Sequence, residues 1–227
     1  MNSLHNMKEK NLAGIIAHQL RHHAPFTAAG SLAGILLMYL CFQIGLTRPA
    51  VTRAFWLLHP AHVLLSAFVT TAMYRHVARS SFWKALVIGY LGSVGIGTLS
   101  DSLIPYAGEW ILSMEHHDAH IGFIEKWWLI NPLALLGIAG GYLLPKTKLP
   151  HFGHVLLSTW ASLFHMMMAH GDQAPMTAGL AAGIAVFLFL AVWLPCCTSD
   201  IVFPLLFTGY IPPCSCPGQA HSHEEKV

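Results

Sequence analysis

Six long apolar stretches alternate with short polar segments along this chain. They cover residues 26–46, 55–77, 82–104, 127–144, 152–169 and 178–194. A helix needs about 20 mostly apolar residues to cross the hydrocarbon core of a bilayer. Lipid offers no partner to a backbone amide, so each stretch is expected to be helical. The pattern therefore predicts an all-α integral membrane protein with six transmembrane helices. Ahead of the first stretch, Leu12, Ile15, Ile16 and Leu20 recur at helical spacing among Lys8, Lys10 and Arg21. Residues 1–25 thus read as an amphipathic segment lying on the membrane surface. They lack the compact apolar core and small-residue end of a cleavable signal.

Composition agrees with the pattern. Hydrophobic residues make up 55% of the chain and charged ones 10%, against about 25% charged in a soluble domain. The net charge is only +2. No basic stretch carries interleaved aromatics, so nucleic acid is not an expected partner. Lys8, Lys10 and Arg21, then Arg75, Arg79 and Lys84, then Lys146 and Lys148 all fall on one side of a six-span topology. Arg48 and Arg53 fall on the other, together with Glu109, Glu115, Asp118, Glu125 and Asp172. The positive-inside rule places both termini in the cytoplasm, in what is expected to be a bacterial inner membrane.

The chain also repeats itself. His59-Pro-Ala-His62-Val-Leu-Leu-Ser66 matches His151-Phe-Gly-His154-Val-Leu-Leu-Ser158. Ser100-Asp101-Ser-Leu-Ile-Pro105 matches Ser199-Asp200-Ile-Val-Phe-Pro204. Pro25, Gly30 and Gly34 share their spacing with Pro132, Gly137 and Gly141. A shared Val-Leu-Leu-Ser alone means little among apolar helices. Two matched histidines before it, and a second ordered motif, make chance a poor account. Three spans per copy require the second copy to be inverted, as in many secondary transporters. The predicted organisation is a first three-helix repeat over 26–114, an outer acidic and histidine loop over 115–126, a second repeat over 127–210 and a Cys/His-containing tail over 211–227.

Asp101 and Asp200 are the acidic residues within or at the edge of these spans, and they are equivalent in the repeat. A carboxylate at bilayer depth costs a few kcal/mol and normally has a partner or a task. Pro105 and Pro204 follow them by four residues and Pro195 precedes Asp200, so the third and sixth helices are expected to be broken there. A broken helix frees carbonyls that can bind a cation. The plainer alternative is that Ser100-Asp101 and Ser199-Asp200 cap a short helix after the break. His59 and His62, like His151 and His154, lie three apart on one helical face and could share an ion. Cys196 and Cys197 would add soft ligands to the second unit. Either two related sites, one near each mouth, or one central site reached from both sides is expected. Glu115-His-His-Asp-Ala-His120, and the tail with Cys214, Cys216, His221 and His223, fit the same chemistry with less specificity. His165 and His170 with Met166, Met167 and Met168 form either a metal-guiding face or ordinary core.

Ten candidate ligands follow: His59, His62, Ser100, Asp101, His151, His154, Cys196, Cys197, Ser199 and Asp200. Imidazole and carboxylate suit a divalent transition metal, zinc first, with manganese, iron, nickel or copper as alternatives. The expected function is a secondary transporter of that cation, possible proton coupling included, since a metal displaces protons from histidine. The expected partners are membrane lipids, the metal ion and a second copy of the chain. The alternative is an intramembrane zinc-dependent hydrolase acting on a lipid-like substrate. It is disfavoured here because both halves keep the same motifs, whereas an enzyme needs one asymmetric site. A carrier of a small organic or anionic solute with histidine proton relays is a third class. Phosphate loops, nucleophile elbows and H-E-x-x-H motifs are absent from the sequence.

Overall fold

A computed structural model describes residues 2–77, 81–144, 151–170 and 175–208, with side chains described except at 2–16, 18–19, 22–23, 76–77, 151–152 and 196–208. Every regular element among these residues is helical. Helix α1 spans Asn2–Gln43, α2 Arg48–Val77, α3 Phe82–Ile111, α5 Trp127–Leu143, α6 His151–Ala169 and α7 Ala178–Thr208, with α4 the single turn Gly122–Glu125. Among the described residues, 4 helices are long and apolar enough to cross a membrane, over Ala24–Gln43, Arg48–Arg75, Phe82–Ile111 and Ala178–Pro195. Helix α5 is apolar but shorter, at 17 residues.

Three sequence expectations change. The amphipathic segment 1–25 is not separate from the first span, because α1 runs through Pro25. One proline costs a helix about 3 kcal/mol, and a full interruption in lipid would expose several unpaired backbone groups. Helix α7 likewise continues past Pro195 and Pro204 rather than breaking. In α3 the expected break is replaced by two π-helical turns, Leu91–Gly95 and Leu99–Leu103. Pro105 then falls in the first turn of the α-helical stretch Ile104–Ile111, where its missing N–H and fixed φ are tolerated.

Helix α2 packs most closely against α5 and α6, and α1 against α7. The start of α3 lies on α2 and α5, and from Leu99 onward α3 lies on α6 and α7. Gly137 and Gly141 let α5 reach the α2 backbone. A Cβ at Gly137 would stand 2.8 Å from the Ala67 Cβ and overlap the Leu64 carbonyl, and one at Gly141 would stand 3.0 Å from the Ala72 nitrogen. Small residues serve this purpose between helices in lipid, where close packing replaces the hydrophobic drive. The main apolar core gathers Met38, Phe55, Leu163, Met166, Ile184 and Leu188. Leu36, Leu57, Trp83, Ile111, Leu136 and Leu143 are exposed on the outer faces, as lipid-facing residues would be. Hydroxyls inside the helices bond back to their own backbone, as Ser31 does to the Thr27 carbonyl and Ser93 to the Gly89 carbonyl. This satisfies them where water is excluded.

Candidate functional site

Helix α2 carries a polar stripe on an otherwise apolar surface. His59, His62 and Ser66 are spaced three and four apart, which stacks them on one face. All three are buried. That face meets the second π-helical turn of α3, where Asp101 is 0% exposed. His62 donates its Nδ1–H to Asp101 Oδ2 at 2.6 Å, and His59 does the same at 2.9 Å. The other carboxylate oxygen, Oδ1, accepts the hydroxyls of Ser100 at 2.7 Å and Ser158 at 2.9 Å. Ser158 belongs to α6, so the site joins both halves of the chain.

A second tier holds these groups in place. Ser162 donates to the carbonyls of Ser158 at 2.8 Å and Ser100 at 3.0 Å, tying α6 to the π-helical turn. The His154 ring stacks on His62 with centroids 4.8 Å apart and planes 27° apart. Gly97 keeps α3 close to α2, since a Cβ there would lie 3.3 Å from Val63. Gly122 closes the site over His59. A Cβ on Gly122 would overlap the ring at Nε2 and lie 2.8 Å from Cδ2.

The electrostatics follow from the donor count. Asp101 has four donors for its two oxygens, so the carboxylate is satisfied without water. Bonds to an ionised acceptor are shorter and about twice as strong as neutral ones. If the four donors are neutral, the cluster still carries one negative charge in a place that excludes solvent. Such a charge costs several kcal/mol unless something of opposite sign joins it. The histidines leave one nitrogen each for that purpose. His59 Nε2 and His62 Nε2 are buried and have no hydrogen-bond partner. An imidazole whose Nδ1–H is tied to a carboxylate presents its Nε2 lone pair outward, the usual arrangement behind a metal ligand. In this conformation no group of three His, Cys, Asp or Glu side chains among the described residues is arranged to hold a metal ion.

The structure thus brings together His59, His62, Ser100, Asp101 and His154 from the expected set. The side chains of His151, Cys196, Cys197, Ser199 and Asp200 lie outside the described residues, as do the tail residues Cys214, Cys216, His221 and His223. Two features escaped the sequence reading. Ser158 joins the site directly and Ser162 through the Ser100 and Ser158 carbonyls, although the stripe His154, Ser158, Ser162, His165 recurs at helical spacing on α6 and signals a polar face. Glu109 is the other. The sequence pattern places it beyond the third span on the outer side, yet it lies in α3, is 1% exposed and accepts His165 Nδ1–H at 2.7 Å. The correction arises because α3 continues to Ile111, past the predicted end of the span. No family model matches this chain, and neither a curated protein nor a solved structure is detectably similar to it.

Proposed function

We propose that this protein is a secondary membrane transporter of a divalent transition-metal cation, built on six spans in two inverted three-helix repeats with both termini in the cytoplasm. The observation that carries the reading is the buried Asp101 carboxylate, held between helices of both halves and flanked by two imidazoles with unpartnered Nε2 atoms. A single buried negative charge with adaptable imidazoles attracts a cation. A cargo site, unlike a resident-metal site, needs to be complete in only one of the states that alternate during transport. The compact cluster of donors on Asp101 serves as the ion-free state. Entry of the ion would take the carboxylate away from its hydroxyl donors and seat the ion on the Nε2 lone pairs. Coupling to a proton gradient then requires an imidazole to take up a proton at Nε2 in the state that has released the ion.

The direct test is metal uptake into proteoliposomes. Wild type should accumulate zinc or another divalent transition metal. Asp101→Asn keeps the shape but removes the charge, and should reduce the initial rate at least tenfold. Uptake equal to wild type would remove Asp101 from the pathway.

One observation favours a second reading, an intramembrane zinc-dependent hydrolase. The first-unit motif meets His154 and Ser158 of the second unit in one asymmetric site, with three imidazoles, one carboxylate and two hydroxyls. A resident zinc does not fit the present arrangement, because no three of the described donors are disposed around one point. Hydrolysis of an amide or ester lipid by the purified protein, abolished by Asp101→Asn without any metal flux, would make this the better reading.

A further inference from the structure

Glu109 is the second buried carboxylate among the described residues, and nothing in the Asp101 cluster uses it. Its Oε1 accepts the His165 ring at 2.7 Å, while Oε2 is buried and has no hydrogen-bond partner. A buried acceptor of this kind, left without a donor, destabilises the fold, and more so when charged. Glu109 and His165 line a small cavity together with Arg48, His116, Asp118 and His120. Asp118 and His120 also line a wider opening beside it, with Ile121 and Glu125. His120 Nδ1 lies 3.3 Å from Glu125 Oε2 at that opening. Arg48 is a cation on the cavity wall opposite Glu109 and Asp118. His165 places both ring nitrogens on acceptors, Glu109 Oε1 and, at 3.4 Å, the Ala119 carbonyl, so it positions the carboxylate and is not itself a ligand.

This cavity is separated from the Asp101 cluster by one ring. Phe55, 0% exposed, stacks on His59 with centroids 5.4 Å apart and planes 5° apart. Its edge contacts His165 at 5.3 Å and it lies 6.0 Å from His120. Carboxylate and imidazole donors therefore run from the loop end of the bundle to Phe55, and resume beyond it at His59.

We infer that Glu109 and His165 form a second cation-binding station, which takes a divalent transition-metal ion at the loop end of the bundle before it passes Phe55. The inference rests on the transport reading and extends it. Glu109 Oε2 is the first ligand. His116, Asp118 and His120 line the same cavity, but no three of these side chains converge on one point in this conformation, so a waiting ion would keep most of its water shell. Carboxylate with imidazole is a ligand set suited to zinc, cobalt and manganese.

The test is titration of the full-length protein, purified in detergent, with cobalt(II) alone, read by its visible absorption and by equilibrium dialysis. Binding by the tail is common to all variants and cancels in their differences. Glu109→Gln should lose one equivalent relative to wild type, and Glu109→Asp should retain it with weaker affinity. Asp101→Asn should lose a different equivalent, and the double variant both. If Glu109→Gln matches wild type while eluting as the same folded species, the station does not exist and the Asp101 reading stands. If Glu109→Gln loses an equivalent and Asp101→Asn does not, the station stands and the central reading falls. Should Glu109→Gln fail to fold, His165→Gln, which leaves the carboxylate in place, must at least weaken the same equivalent severalfold. Unchanged affinity there overturns the proposal.

Discussion

Replacing Ser158 by alanine removes one donor from the buried carboxylate. The side chain shrinks by a single hydroxyl, and Ser162 bonds the Ser158 carbonyl, which alanine keeps. The substitution deletes the 2.9 Å bond to Asp101 Oδ1 and leaves that oxygen the Ser100 hydroxyl. Neutral hydrogen bonds between helices in lipid average about 0.6 kcal/mol in double-mutant cycles. Bonds to an ionised group are about twice as strong. Ser158→Ala should therefore couple to Asp101→Ala, which removes the acceptor, by roughly 1–2 kcal/mol. That corresponds to a factor of about 5–30 in the folded-to-unfolded ratio. The assay is reversible unfolding in mixed micelles of the wild type, both single variants and the double variant. Asp101→Ala leaves two serine hydroxyls and two histidine rings without their acceptor, so it should be the more damaging single change. Coupling below about 0.5 kcal/mol, the level at which independent sites add, would mean that Asp101 is not the charged acceptor of Ser158. The electrostatic account of the site would then be wrong.

Other outcomes follow from the packing. Gly122→Ala should push the His59 ring off Asp101 and cost about 1–3 kcal/mol as an overpacked contact, with metal uptake falling alongside thermal stability. Gly95→Ala has nothing within 4 Å of the new Cβ and is the matched control, expected to change stability by less than about 1 kcal/mol. Gly141→Ala should weaken the α2–α5 contact, because its Cβ would overlap the Phe68 carbonyl; the check is the denaturation midpoint, and an unchanged value would refute the close approach. Chelators should leave the fold of the metal-free protein intact, since Asp101 is satisfied by protein donors. Added zinc should raise the unfolding temperature with its concentration, and a collapse on chelation would point to a structural metal.

The chain's own pattern was enough for the helices and for half of the site. Apolar stretches of spanning length have one viable backbone conformation in lipid, which is why α2 and α6 sit close to where the sequence put them. Asp101 needed a partner at that depth, and the paired histidines of its own unit were the evident candidates; their rings do meet its Oδ2. Three things required the tertiary structure. The π-helical turns of α3 hold Asp101 without a break at Pro105, and a 3.6-residue period cannot reveal an i to i+5 turn. The extension of α3 to Ile111 buries Glu109 against His165, although a glutamate near tryptophan and isoleucine reads locally as the edge of a loop. The meeting of His62 with His154, and of Asp101 with Ser158, depends on α2 and α6 crossing at one level. Periodicity tells which face of a helix is polar, but the partner of that face is set by how the helices pack against one another.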